Sequence, residues 1–169
     1  MDWEKIVEQI PTVIEKVRTD YVLNNMIIRD DIFGILEKHC TVVYYPIENE
    51  INCGFHTKRF VKDKLEDFVY INTAKTIAEQ VFAAAHELGH VWDVDGYVIK
   101  KIGGRINEFD NEDIINRFAA ELLMPREQFL AVFQSEYQKH KSDDGKTLLI
   151  NVLEIIAAIM NQFSVPQKA

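Results

Sequence analysis

The chain has 169 residues, 47% of them hydrophobic and 27% charged, the makeup of an ordinary globular domain long enough to bury a core. Its net charge of −8 argues against direct nucleic-acid binding, which depends on neutralising phosphates. No apolar run reaches the roughly 18 residues needed to span a membrane, and Met1-Asp2-Trp3-Glu4-Lys5 lacks the features of a secretory signal. Cys40 and Cys53 are too few for a disulfide framework, so the expectation is a cytoplasmic protein with two reduced, half-buried thiols.

No repeat, low-complexity tract or linker divides the sequence, and a single domain over 1–169 is expected. Ile6, Ile10, Val13, Ile14 and Val17 recur near a 3.6-residue period and predict a helix over 2–19. A second helix is expected over about 23–39. Thr41-Val42-Val43-Tyr44-Tyr45, stopped by Pro46, predicts a strand, with further strands around 52–57 and 68–72. Thr76, with Glu79 three residues on, has the form of a capping box and opens a helix expected to end near Asp95-Gly96. A loop follows with Gly103-Gly104 and a basic cluster of Lys100, Lys101 and Arg105, read as solvated. Asp110 offers an N-cap for a helix reaching Met124, and Pro125 suits the opening position of the next, which carries Phe129, Val132, Phe133 and Tyr137 on one face. After a turn at Ser142-Asp143-Asp144-Gly145, a last helix is expected over about 146–163, with Leu149, Val152, Ile156, Ile159 and Met160 as core. The expected fold is α+β: a mostly helical single domain with a small sheet of about three strands. Its N-terminal helices lie in 1–39, its sheet and motif-bearing helix in 40–96, and its remaining helices in 107–165.

His86-Glu87-Leu88-Gly89-His90 has the form His-Glu-x-x-His. Four residues are a little over one helical turn, so both imidazoles lie on one face about 6 Å apart along the axis and can share one metal ion. Glu87 beside them is placed to take a proton from a water held at that metal. The apolar lead-in Val81-Phe82-Ala83-Ala84-Ala85 allows the helix to be buried, and buried His and Glu side chains need something to satisfy them. A catalytic zinc takes three protein ligands and keeps one position open. Glu112, with Asn116 one turn later on the same face, is the strongest candidate for the third, and Asp113 and Glu121 are alternatives. Asn116 is placed to hold an imidazole N–H from behind. His39, His56 and His140 have no partner at ligand spacing and are expected to be structural or exposed. His56, Tyr70 and Tyr97 remain candidates for stabilising an oxyanion.

Ala85-His86-Glu87-Leu88-Gly89-His90, followed by Asn116-Arg117-Phe118-Ala119-Ala120-Glu121-Leu122-Leu123-Met124-Pro125, resembles the ImmA/IrrE family of metallopeptidases over about residues 40–165. Phe68-Val69-Tyr70-Ile71-Asn72 is similar to the strand that ends in Asn ahead of that family's zinc helix. The resemblance implies a zincin-like metallopeptidase core and a Zn2+ ion held by His86, His90 and a Glu six residues before the Phe of the second motif. Counted back from Phe118, that Glu is Glu112. It also implies a bacterial, phage or mobile-element protein that cleaves or inactivates a neighbouring helix-turn-helix repressor of the Xre type. The chain departs from the family at Ile115, usually Ala, and at Val81-Phe82, often Arg-Phe, and many relatives continue into another helix past the point where it ends. Two other readings stand beside this one: a zinc-stabilised binding module that inactivates a partner without cutting it, and a free-standing peptidase with no regulatory partner. An intact Glu87 favours an enzyme, because a binding module has no use for the base.

Overall fold

The apolar stripe of the first segment folds as its period predicts. In the computed structural model, which describes residues 3–20, 26–48, 51–102, 108–141 and 149–166, helix α1 (Trp3–Asp20) turns Ile6, Ile10, Ile14 and Val17 into the core. The expected helix over 23–39 is shorter among the described residues: α2 is Asp31–Leu36. Arg29 stands at φ 50°, a left-handed conformation that no helix accommodates, and the backbone after Leu36 closes in turns.

The sheet has the order β1-β3-β2. Strand β1 (Thr41–Tyr45) runs parallel to the central β3 (Lys64–Asn72), and β2 (Gly54–Val61) pairs antiparallel to it. Strands β2 and β3 are longer than expected because a two-residue turn, Lys62-Asp63, joins them, with φ of 47° and 66°; two positive values fit the right-handed twist of a hairpin. Strand β3 ends in Asn72, which is fully buried. Its Oδ1 accepts from Ile47 and Ala74 N–H at 2.9 and 3.0 Å, and its amide donates to the Ile47 carbonyl at 3.0 Å. This side chain ties the segment after β1 to the approach of the next helix.

That helix, α3 (Ile77–Val91), opens on the Thr76–Glu79 capping box and packs against α2, β2 and β3. It does not run to Asp95-Gly96. Asp93 takes φ 53° and ends the run, and a separate helix α4 (Val94–Ile102) begins at once. Gly96 lies inside α4, where the Asp93 carboxylate folds to 2.5 Å from the place a Cβ would occupy. Helix α5 (Glu108–Leu123) is already under way at Asp110, and Pro125 stands just before α6 (Arg126–His140) rather than within it. The last helix, α7 (Leu149–Phe163), buries Ile155, Ile159 and Phe163. Of its five expected core residues only Ile159 is buried, because apolar residues surround so much of α7 that periodicity alone cannot select the inward face. The Gly103-Gly104 loop and the turn expected at 142–145 lie outside the described residues. The architecture is the expected α+β one, mostly helical around a three-stranded mixed sheet. Among the described residues no helix is long and apolar enough to cross a membrane.

Cys40 and Cys53 are free thiols, each partly buried. Burial, aided by the Asp67 and Glu87 charges, pushes Cys40 up to about 11. Cys40 is therefore expected to alkylate with iodoacetamide at pH 8 about 10-fold more slowly than an unperturbed thiol, its far smaller thiolate fraction being partly offset by greater nucleophilicity. Time-resolved peptide mass spectrometry measures this, and alkylation at the unperturbed rate contradicts it.

Candidate metal centre

Helices α3 and α5 meet at Gly89. A Cβ there would lie 3.1–3.2 Å from Ile115 and Phe118, so the missing side chain is what lets α5 approach. Ile115, where the resembling family usually carries Ala, fills the space over that glycine. The approach brings Glu112, at the start of α5, over the face of α3 that bears His86 and His90.

The two imidazoles point their Nε2 atoms at each other across 3.1 Å. Glu112 closes the triangle, with Oε2 3.3 Å from His86 Nε2 and Oε1 3.5 Å from His90 Nε2. Asn116, one turn on from Glu112, sets Oδ1 2.9 Å from His86 Nδ1. An amide oxygen only accepts, so Nδ1 carries the proton and Nε2 presents a lone pair to the cluster. Burial lowers the pKa of both histidines; for His86 the neighbouring His90 lowers it further, against the pull of Glu112 and Asn116. Both imidazoles are thus neutral at neutral pH, the form that ligates. Bonds of about 2.0–2.1 Å to a tetrahedral divalent ion place ligand atoms about 3.3 Å apart, close to the three observed separations. All three donors lie within 4.8 Å of one another, and the donor set fits a metal.

Glu87 is 5% exposed. Burial pushes its carboxyl up to about 8, with the charge of Glu112 adding to the rise; a nearby dication acts in the opposite sense and favours the carboxylate. Strand β2 passes directly beside it at Gly54, where a Cβ would stand 3.4 Å from Glu87 Oε1 and 2.8 Å from the Tyr70 carbonyl. Gly54→Ala is therefore expected to shift β2 and the carboxyl together and to destabilise the protein by about 1–3 kcal/mol. Urea unfolding of wild type and variant checks this, and an unchanged midpoint would contradict it. A glycine inside a strand is the sequence sign of such a close approach.

Of the other candidates, Asp113 is exposed and Glu121 pairs with Arg117; neither joins the cluster. Tyr70 hydrogen-bonds the Tyr45 carbonyl, and Tyr97 lies under Lys101. His39 packs edge-on to Trp92, and His140 reaches Glu136 and Glu154. His56 differs from the other two non-cluster histidines. Its ring lies nearly parallel to that of His90, at 8° and 6.2 Å, and its Nε2 is 2.6 Å from Asp67 Oδ1. Asp67 was not among the expected site residues; its place two residues along β3 from the partner of His56 is a matter of strand register, which sequence leaves open. A groove of about 1140 Å3 between α1, α5 and α6 is lined by none of the cluster residues.

A comparison with curated proteins returned no match. A family model, the IrrE N-terminal-like domain of the peptidase M78 family, matches residues 37–169, a span that includes the sheet, the His-Glu-x-x-His helix and Glu112, and the chain belongs to that metallopeptidase family.

Proposed function

We propose that the chain is a zinc-dependent endopeptidase in which His86, His90 and Glu112 hold the ion and Glu87 is the general base. The observation that carries this reading is the convergence of three donor atoms within 4.8 Å next to the buried Glu87 carboxyl. Two imidazoles and one carboxylate are the three-ligand set of catalytic rather than structural zinc, and an ion held by them would keep one position for a water or substrate. Zinc held there lowers the pKa of a water towards neutrality and polarises a carbonyl. Asn116 keeps His86 in the tautomer whose Nε2 faces the ion. Glu87 removes a proton from the attacking water at its carboxylate and delivers it to the nitrogen of the leaving amine. The low-polarity surroundings that bury Glu87 also favour such transfers by raising its basicity.

The substrate in this reading is a helix-turn-helix repressor of the Xre type encoded beside the chain in a bacterial or phage genome and met in the cytoplasm. Family membership supports a protein substrate, and a net charge of −8 suits a basic, DNA-binding partner. The test is incubation of the purified chain with that repressor and zinc, with and without a chelator. Discrete fragments that disappear with the chelator are expected. A repressor left intact by the zinc-loaded chain would remove cleavage of this substrate from the reading.

A further inference from the structure

Helix α7 is apolar round more than half of its circumference, and the other described residues cover only part of that arc. Ile155, Ile159 and Phe163 are buried. A second stripe, formed by Leu149, Leu153, Ile156 and Met160, runs about 90° further round the helix. Leu149, Leu153 and Ile156 are 76%, 50% and 37% exposed, flanked by Ile150 at 58% and Val152 at 39%. Helix α6 beside it buries no residue. Phe129, Phe133 and Tyr137 stack in file along α6, with centroids 6.3 and 6.1 Å apart, and with Val152, Ile156 and Met160 they line an apolar groove of about 430 Å3. A pair of helices has a packed seam but no enclosed core, whereas two such pairs face to face make a four-helix bundle.

We propose that a second copy of this chain covers this face, with the α6–α7 hairpins of two copies packed about a two-fold axis as a four-helix bundle. Ridge and groove lie on the same patch. Leu149 and Leu153 stand exposed beside a groove with room for two or three leucine-sized side chains, so each copy fills the other, as an isologous contact requires. The stripe itself is uncharged, and Glu154 at its border is 3.1 Å from His140. On α6, Glu136 is paired with Lys139, so among the described residues two chains of net charge −8 meet here without unpaired like charges opposed, while a basic partner finds no free acidic patch to read. The exposed α7 side chains and Phe133 offer roughly 600 Å2 of apolar surface per copy, most of the about 800 Å2 that each partner in a stable dimer contributes.

Sedimentation equilibrium of the full chain at concentrations up to about 100 μM tests the proposal. The expected mass is twice the 19.6 kDa of one chain. Placing two carboxylates in an apolar isologous contact with Leu149→Glu/Leu153→Glu is expected to weaken the dimer about 100-fold or more. Leu130→Glu, at a residue outside this groove, should leave it unchanged. Circular dichroism confirms that the variants, altered at exposed positions, are folded. A wild-type mass of one chain throughout, or a dimer untouched by the double substitution, overturns the proposal.

Discussion

His86→Ala, His90→Ala and Glu112→Ala are each expected to lose zinc far more severely than a change behind the ligands. Each of the three supplies one of the donor atoms gathered within 4.8 Å, and two remaining ligands do not hold a tetrahedral ion in competition with water. Asn116→Ala leaves all three donors in place and frees only the His86 tautomer; an outer partner of this kind is worth about 10–100-fold in affinity. Competition with a chromophoric chelator is therefore expected to rank the three ligand variants well below Asn116→Ala, and Asn116→Ala below wild type. Full zinc occupancy in Glu112→Ala would move the third ligand elsewhere on α5, although Glu121 is already engaged by Arg117 and Asp113 points out to solvent. The same measurement has an expected pH dependence. Protons compete for the lone pairs that ligate, and burial lowers the pKa of both histidines. Zinc loss on acidification should thus begin below the ordinary imidazole value of about 6.5; loss that already begins above it would contradict neutral, buried ligands.

What the sequence made legible was mostly what depends on local spacing. Two histidines four apart lie on one face of any helix, and the Thr76–Glu79 box is a contact between near neighbours, found as expected. The α+β class followed from the order of periodic and β-branched segments. The failures share a different cause. The Lys62-Asp63 turn has both residues at positive φ without the Asn-Gly or Asp-Gly signal that announces such a hairpin, so β2 and β3 appeared shorter than they are. The break between α3 and α4 rests on Asp93, a single left-handed residue, while the glycine that looked like the stop sits within the next helix. On α7 the composition is apolar over so wide an arc that only tertiary packing decides which residues go inward. The parallel placement of the His56 and His90 rings needs the register of β2 on β3 and the seating of α3 on the sheet, neither of which a linear pattern encodes. Gly54 was legible in kind, as a glycine within a strand, but not in purpose until Glu87 stood beside it.

Glu87→Gln is expected to remove turnover while leaving zinc and fold in place, and it separates an enzyme from a module that acts by binding. Glu87 follows His86 by one residue, about 100° round the helix, and it is not among the three clustered donors, so its loss should not release the ion. Gln matches Glu in size and still hydrogen-bonds a water, and burying an amide in place of a carboxyl whose ionisation burial opposes should not lower stability. What Gln cannot do is accept the proton. The deficit is therefore expected in kcat, by about 10²–10⁴-fold, with KM, zinc content and unfolding midpoint close to wild type. Cleavage by the Gln variant at near the wild-type rate would overturn the general-base assignment. Equal relief of repression by wild type and variant, with the repressor intact in both, would instead establish regulation by binding, with the His86, His90 and Glu112 cluster serving only to hold the fold that binds.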